Sequence, residues 1–110
     1  MAFIEVDAED FAIEREKAFD RGDIVFIKFG SEYCDPCHAL GFELEEIDEL
    51  YNNVTILEID TDNSPDLAEH FDIMQLPTMM IYKDRKTLIY KEEGVILYQD
   101  IQEIIGEPSN

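Results

Sequence analysis

The chain has 110 residues, 27 acidic against 8 basic, with a formal net charge of −19 at pH 7. That length suits one domain, residues 1–110, with a single modest core, and a hydrophobic fraction of 45% argues against disorder. So few Lys and Arg cannot build the positive face that a phosphate backbone or an anionic membrane requires, which argues against nucleic acid and membrane surfaces as partners and favours basic or neutral ones at long range.

The predicted elements alternate in type along the chain. Phe3 to Val6 reads as a short strand. Asp7 is placed as an N-cap, with Glu9 and Asp10 in the first turn where acids suit the helix dipole. The helix then runs to about Asp20, with Phe11 and Ala18, and Ala12 and Phe19, along apolar faces, until Gly22 breaks it. "IVFIKF", Ile24 to Phe29, is almost continuously apolar, as expected of a strand covered on both faces. A second helix starts at the cysteines and runs to about Tyr51, with Leu40, Leu44, Ile47 and Tyr51 forming one stripe. "VTILEI", Val54 to Ile59, is a second central strand. Asn63-Ser64-Pro65-Asp66 has the form of a helix start, ending near Phe71 to Ile73. Thr78 to Lys83 and Thr87 to Lys91 are strands joined by the polar turn "KDRK". Gly94 separates them from a last helix at about Tyr98 to Ile105. Strands alternating with helices and closing on a hairpin predict a mixed sheet with helices on both faces. No apolar run approaches the ~20 residues that span a bilayer. The N-terminal "MAFIEVDAEDF" lacks the basic and apolar regions of a signal peptide. A cytoplasmic monomer is therefore expected.

Both cysteines lie in "YCDPCH", Tyr33 to His38. The stretch allows c-type haem attachment, a zinc site or a redox dithiol. Haem would need His38 as an axial ligand, a distal ligand and an export route. Zinc would need four ligands, and Cys34, Cys37, His38 and His70 are the chain's only Cys and His residues. Three of these crowd into one turn, so a metal or cluster would have to be shared by two chains. His38 and His70 are more simply surface residues. The redox reading fits better: a helix N-terminus favours a thiolate. Cys34 is then outermost and attacks, Cys37 lies one turn inside and resolves, and Pro36 suits the first turn.

"FGSEYCDPCHALGFELEEI" resembles the active-site strand, loop and helix of the thioredoxin family. "FDIMQLPTMMIYKD" resembles that family's cis-proline segment, "VTILEIDTDNSPDLAEHF" the strand and helix between them, and Gly94 the glycine of its last loop. The resemblance covers nearly the whole chain. It implies the α/β thioredoxin fold, a central mixed sheet of four to five strands with helices on both faces. It implies protein-disulfide oxidoreductase activity through a Cys34–Cys37 redox disulfide, with Cys34 as nucleophile and Cys37 as resolving thiol. It also implies a cis Pro77 facing the cysteines, with the backbone of Leu76 pairing to an extended substrate. The implied docking surface comprises Tyr33, Ile59, Leu76, Pro77 and the Glu93-Gly94 loop. The partners implied are protein disulfides and a reductase such as thioredoxin reductase; no cofactor or metal is called for. A non-catalytic interaction module on the same scaffold is the main alternative. Retention of both thiols together with Pro77 speaks against it.

Four positions depart from the family pattern. Lys28 stands where the family has a buried carboxylate beneath the cysteines. It is expected either to pair with an acid such as Glu58 and lower the pKa of Cys37, or to reach solvent along its aliphatic stem. Tyr33 replaces the usual Trp. Asp35 replaces Gly in the pair between the cysteines, and a carboxylate there disfavours the Cys34 thiolate. Phe42 replaces a helix-bending proline, leaving Gly41 as the flexible position. Gln75 and Glu93 make the docking surface more polar and acidic than is usual.

Overall fold

The computed structural model describes residues 3–108. The chain order is β1 (Phe3–Glu5), α1 (Phe11–Asp20), β2 (Ile24–Gly30), α2 (Asp35–Leu50), β3 (Val54–Asp60), α3 (Pro65–His70), β4 (Thr78–Asp84), β5 (Thr87–Glu93) and α4 (Tyr98–Ile105). The five strands form one sheet in the order β1-β3-β2-β4-β5. The first three run parallel, β4 is antiparallel to β2, and β5 to β4. This is the mixed sheet that the alternating segments predict.

The continuous apolar run of β2 follows from burial on both faces. Phe26 packs with Leu40, Leu44, Ile47, Ile56 and Ile81 in one core, while Ile27 and Phe29 join Phe11, Leu57 and Ile59 in the other. All four residues of the α2 stripe are buried, which holds that helix along its length against the first core.

Several boundaries differ from the sequence expectation. Regular α1 begins at Phe11, after Glu9 and Asp10 rather than before them. The Asp7 carboxylate still does what a cap does, accepting the N–H groups of Glu9 and Asp10 at 2.9 and 3.0 Å. Those residues form a turn that leads into the helix. Ala12 faces solvent instead of sharing an apolar stripe. β2 extends to Gly30, and β5 to Glu93, because strand pairing continues through Gly30–Asp60 and Thr78–Glu93. Helices α1 and the β4–β5 turn are tied by Arg85, which reaches both Glu16 and Asp20. Among the described residues no helix is long and apolar enough to cross a membrane.

Candidate redox site

The site lies at the end of the sheet where the parallel strands finish. Beyond Gly30 the loop is held by short contacts. Ser31 Oγ donates to Asp62 at 2.9 Å, the Tyr33 N–H donates to Ser31 Oγ, and the Cys34 N–H to the Ser31 carbonyl. Cys34 is the N-cap of α2, in extended backbone conformation. Its sulfur accepts the Cys37 N–H at 3.2 Å, and its carbonyl accepts the His38 N–H at 3.3 Å. The sulfur thus occupies the place of a capping oxygen, where free N–H groups and the helix dipole favour negative charge. Pro36 sits in the first turn, where its missing N–H costs nothing.

Cys34 and Cys37 are joined by a disulfide, with Cα atoms 5.2 Å apart. The two sulfurs are not equivalent in access: Cys34 is half-buried, whereas Cys37 is 2% exposed.

The remaining predicted site residues gather at the same end of the sheet. Strand register sets Thr78 opposite both Phe29 and Glu93, so the segments flanking Gly30, Pro77 and Gly94 are brought side by side. The Leu76–Pro77 peptide is cis. The Gly94 N–H donates to the Pro77 carbonyl at 2.8 Å, and Gly94 has φ +93°, a conformation that favours glycine. Tyr33 is 86% exposed, Gln75 and Glu93 are exposed, and Leu76 is half-buried. Ile59 lies there too, paired with Phe29, but its side chain is turned inward. At 2% exposure it packs in the second core beside Phe29, because alternation along β3 turns it away from the surface. Pro77, kept among the docking positions, is buried as well. Met74, 83% exposed just before the cis segment, was not singled out from sequence, since an isolated methionine carries no periodic signal.

Lys28 is largely buried rather than extended into solvent. The residue is 7% exposed, and its ammonium lies 3.3 Å from Glu58 Oε2, its neighbour across the β2–β3 register. His38 and His70 are both exposed; the His38 ring meets the Glu32 carbonyl at 2.8 Å and the His70 ring stands edge-on to Phe71. Among the described residues no group of three or more His, Cys, Asp or Glu is arranged to hold a metal ion.

The thioredoxin family profile matches residues 3–107. The chain belongs to the thioredoxin family. It is 40% identical to a thioredoxin of Chlamydia trachomatis over 63 residues, covering 57% of this chain and 62% of that protein. It is 36% identical over 70 residues to thioredoxin domain-containing protein 8 of Mus musculus, covering 63% of this chain and 55% of that one. It therefore spans less than two thirds of the length of these two relatives. The crystal structure of chloroplastic thioredoxin z superposes with a TM-score of 0.83 at 29% identity, covering 96% of this chain and 93% of that one.

The domain carries a Cys-x-x-Cys pair joined as a disulfide at the start of α2. A disulfide so placed has the chemistry to exchange its bond for one between an external sulfur and one cysteine. Asp35, exposed at the first helical position, sets a carboxylate next to Cys34. Asp35→Gly is expected to lower the Cys34 thiol pKa, because like charge disfavours the thiolate. Titrating thiolate absorbance in the reduced proteins measures this; an equal or higher pKa in the variant contradicts it.

Proposed function

We propose that the protein reduces disulfides in protein substrates, with Cys34 as the attacking thiol and Cys37 as the resolving one. The asymmetry of the pair carries this reading: an accessible sulfur at a helix N-cap is bonded to a buried one a turn inside. Substrate then enters at Cys34, over a surface that includes Tyr33, Leu76 and the Pro77 segment. The neighbouring Asp35 carboxylate works against a stable Cys34 thiolate, so the reduced form is the better electron donor. Such a donor must be kept reduced, which calls for a reducing compartment such as the cytoplasm and a reductase of the thioredoxin reductase type. A monomer suffices, since one chain supplies both thiols. A non-catalytic scaffold would need neither.

The net charge of −19, with Glu93 exposed beside Gly94, favours substrates with basic surfaces. With dithiothreitol as electron source, the protein is expected to accelerate reduction of a basic disulfide-bonded protein more than that of an acidic one. The preference shrinks as salt shortens the screening length from about 30 Å at 0.01 M to about 3 Å at 1 M. No acceleration over dithiothreitol alone defeats the reductase reading. Equal acceleration of both substrates at low salt defeats the basic preference.

A further inference from the structure

Three ionisable side chains stand at one level of the sheet. Strand register puts Glu5 of β1 beside Glu58 of β3, and Glu58 beside Lys28 of β2. Lys28 is the buried member, and Glu58 is 36% exposed at its side chain. Two glycines shape the space around Lys28. A β-carbon at Gly41 would lie 3.2 Å from Lys28 Nζ, and one at Gly30 would lie 3.3 Å from Cys37 Sγ and 3.8 Å from Lys28 Cε. Lys28 Cε and the Cys37 sulfur therefore both border the space that Gly30 leaves open, separated by no more than those last two distances together. Cys37 and Gly41 are four residues apart on α2, hence on one helical face, so the lysine runs beneath both. Lys28, Cys37 and Glu58 all line one open cleft of about 400 Å³.

We propose that Lys28 and Glu58 act as an opposed pair of positioning residues that sets the acidity of Cys37. The ammonium favours the Cys37 thiolate, the Glu58 carboxylate limits that effect, and Gly41 makes room for the ammonium. The proposal rests on the resolving role assigned to Cys37. In the step concerned, the Cys37 thiolate attacks Cys34 Sγ in the mixed disulfide. The Cys34–Cys37 bond forms, the bond from Cys34 to the substrate sulfur breaks, and the substrate leaves as a thiolate. The proton given up by Cys37 passes through the cleft to water. The other ionisable groups lining this cleft are Glu5 from β1, Glu32 from the loop, Asp60 from β3 and His38 from α2, and Lys28 and Glu58 also line a second cleft with Glu45, Asp48 and Glu49 of α2. The carboxylates all oppose the thiolate, and Lys28 is the one permanent cation among the cleft residues.

The test uses a Cys34→Ser background, in which Cys37 is the single thiol. Its pKa is read from the pH dependence of alkylation. Lys28→Met is expected to raise that pKa by about one unit, and Glu58→Gln to lower it by a smaller amount. The double variant should lie near the parent. A purely structural ion pair would change stability in both variants without moving the thiol in opposite directions. Should Lys28→Met not fold, Glu58→Gln alone decides, since removing a half-exposed carboxylate leaves the strand intact. No shift in Glu58→Gln, or shifts of the same sign in the two single variants, overturns the proposal. Failure of the reductase reading appears elsewhere, as absent turnover by the unmodified protein, and leaves these thiol titrations interpretable.

Discussion

Cys34→Ser is expected to reduce disulfide turnover to the rate of the chemical reductant alone, while Cys37→Ser is expected to stall the reaction one step later. The difference follows from access and position. Cys34 is half-buried at the N-cap of α2, so a substrate disulfide can approach its sulfur, and the Cys37 N–H at 3.2 Å stabilises negative charge there. A serine hydroxyl has neither the thiolate's nucleophilicity nor the ability to form a disulfide. Cys37, 2% exposed, has little access to an external disulfide but is already bonded to Cys34 in the oxidised state. Removing it leaves the first attack intact and removes the attack that releases product. Mixed disulfide with a purified substrate should then accumulate up to one per protein molecule, visible by intact mass and cleared by dithiothreitol. If Cys34→Ser trapped substrate and Cys37→Ser did not, the two roles would be reversed.

The strands and helices were legible because their burial follows one simple period each. β2 is covered on both faces and reads as a continuous apolar run, and α2 shows its buried stripe at Leu40, Leu44, Ile47 and Tyr51. The boundaries around α1 were less legible. Asp7 makes a cap's hydrogen bonds, but the chain inserts a turn before regular helix begins, and local composition does not distinguish those two uses of an acidic run.

The cysteine pair and the Leu76-Pro77-Thr78 segment were visible as motifs, whereas the surroundings of Lys28 were not. Sequence raised Glu58 as one possible partner but could not decide between pairing and escape to solvent. That choice depends on parallel register and on what α2 leaves empty above the strand. Gly30, the last residue of β2, is where Cys37 closely approaches the strand, and a glycine directly after an apolar run is the signal that marks such an approach. Gly41 gave a different impression: read as the flexible point of a helix that had lost its proline, it lies in an unbroken helix and makes room for an ammonium group. The inward turn of Ile59 was equally hidden. The family resemblance places the residue near the site, while alternation decides which face its side chain takes.

α2 carries the redox pair, and its attachment to the sheet depends on one face only. Phe26 is fully buried at the centre of that contact, opposite Ile56 on β3 and Ile81 on β4, beneath Leu40, Leu44 and Ile47. Phe26→Ala is expected to cost about 3–5 kcal/mol, since neighbouring strands and helix cannot collapse into the space left behind. Against a total stability of about 5–15 kcal/mol this is a large fraction, and at roughly 4 °C per kcal/mol it lowers the melting temperature by about 10–20 °C. Phe42 lies on the same helix but is 66% exposed. Phe42→Ala removes a solvated ring and installs a better helix former, so its effect on stability should stay within about 0.5 kcal/mol. Thermal melts of both variants, followed by far-ultraviolet circular dichroism, separate the two cases. A loss in Phe42→Ala comparable to that in Phe26→Ala would mean that the outer face of α2 is covered in solution, as by a second copy of the chain. A small loss in Phe26→Ala would mean that the core under the redox helix is loosely packed, and that α2 is held instead by its ends. At its C-terminal end the Tyr51 hydroxyl donates to the Gly106 carbonyl, and midway along the helix Glu43 accepts the N–H of Tyr98.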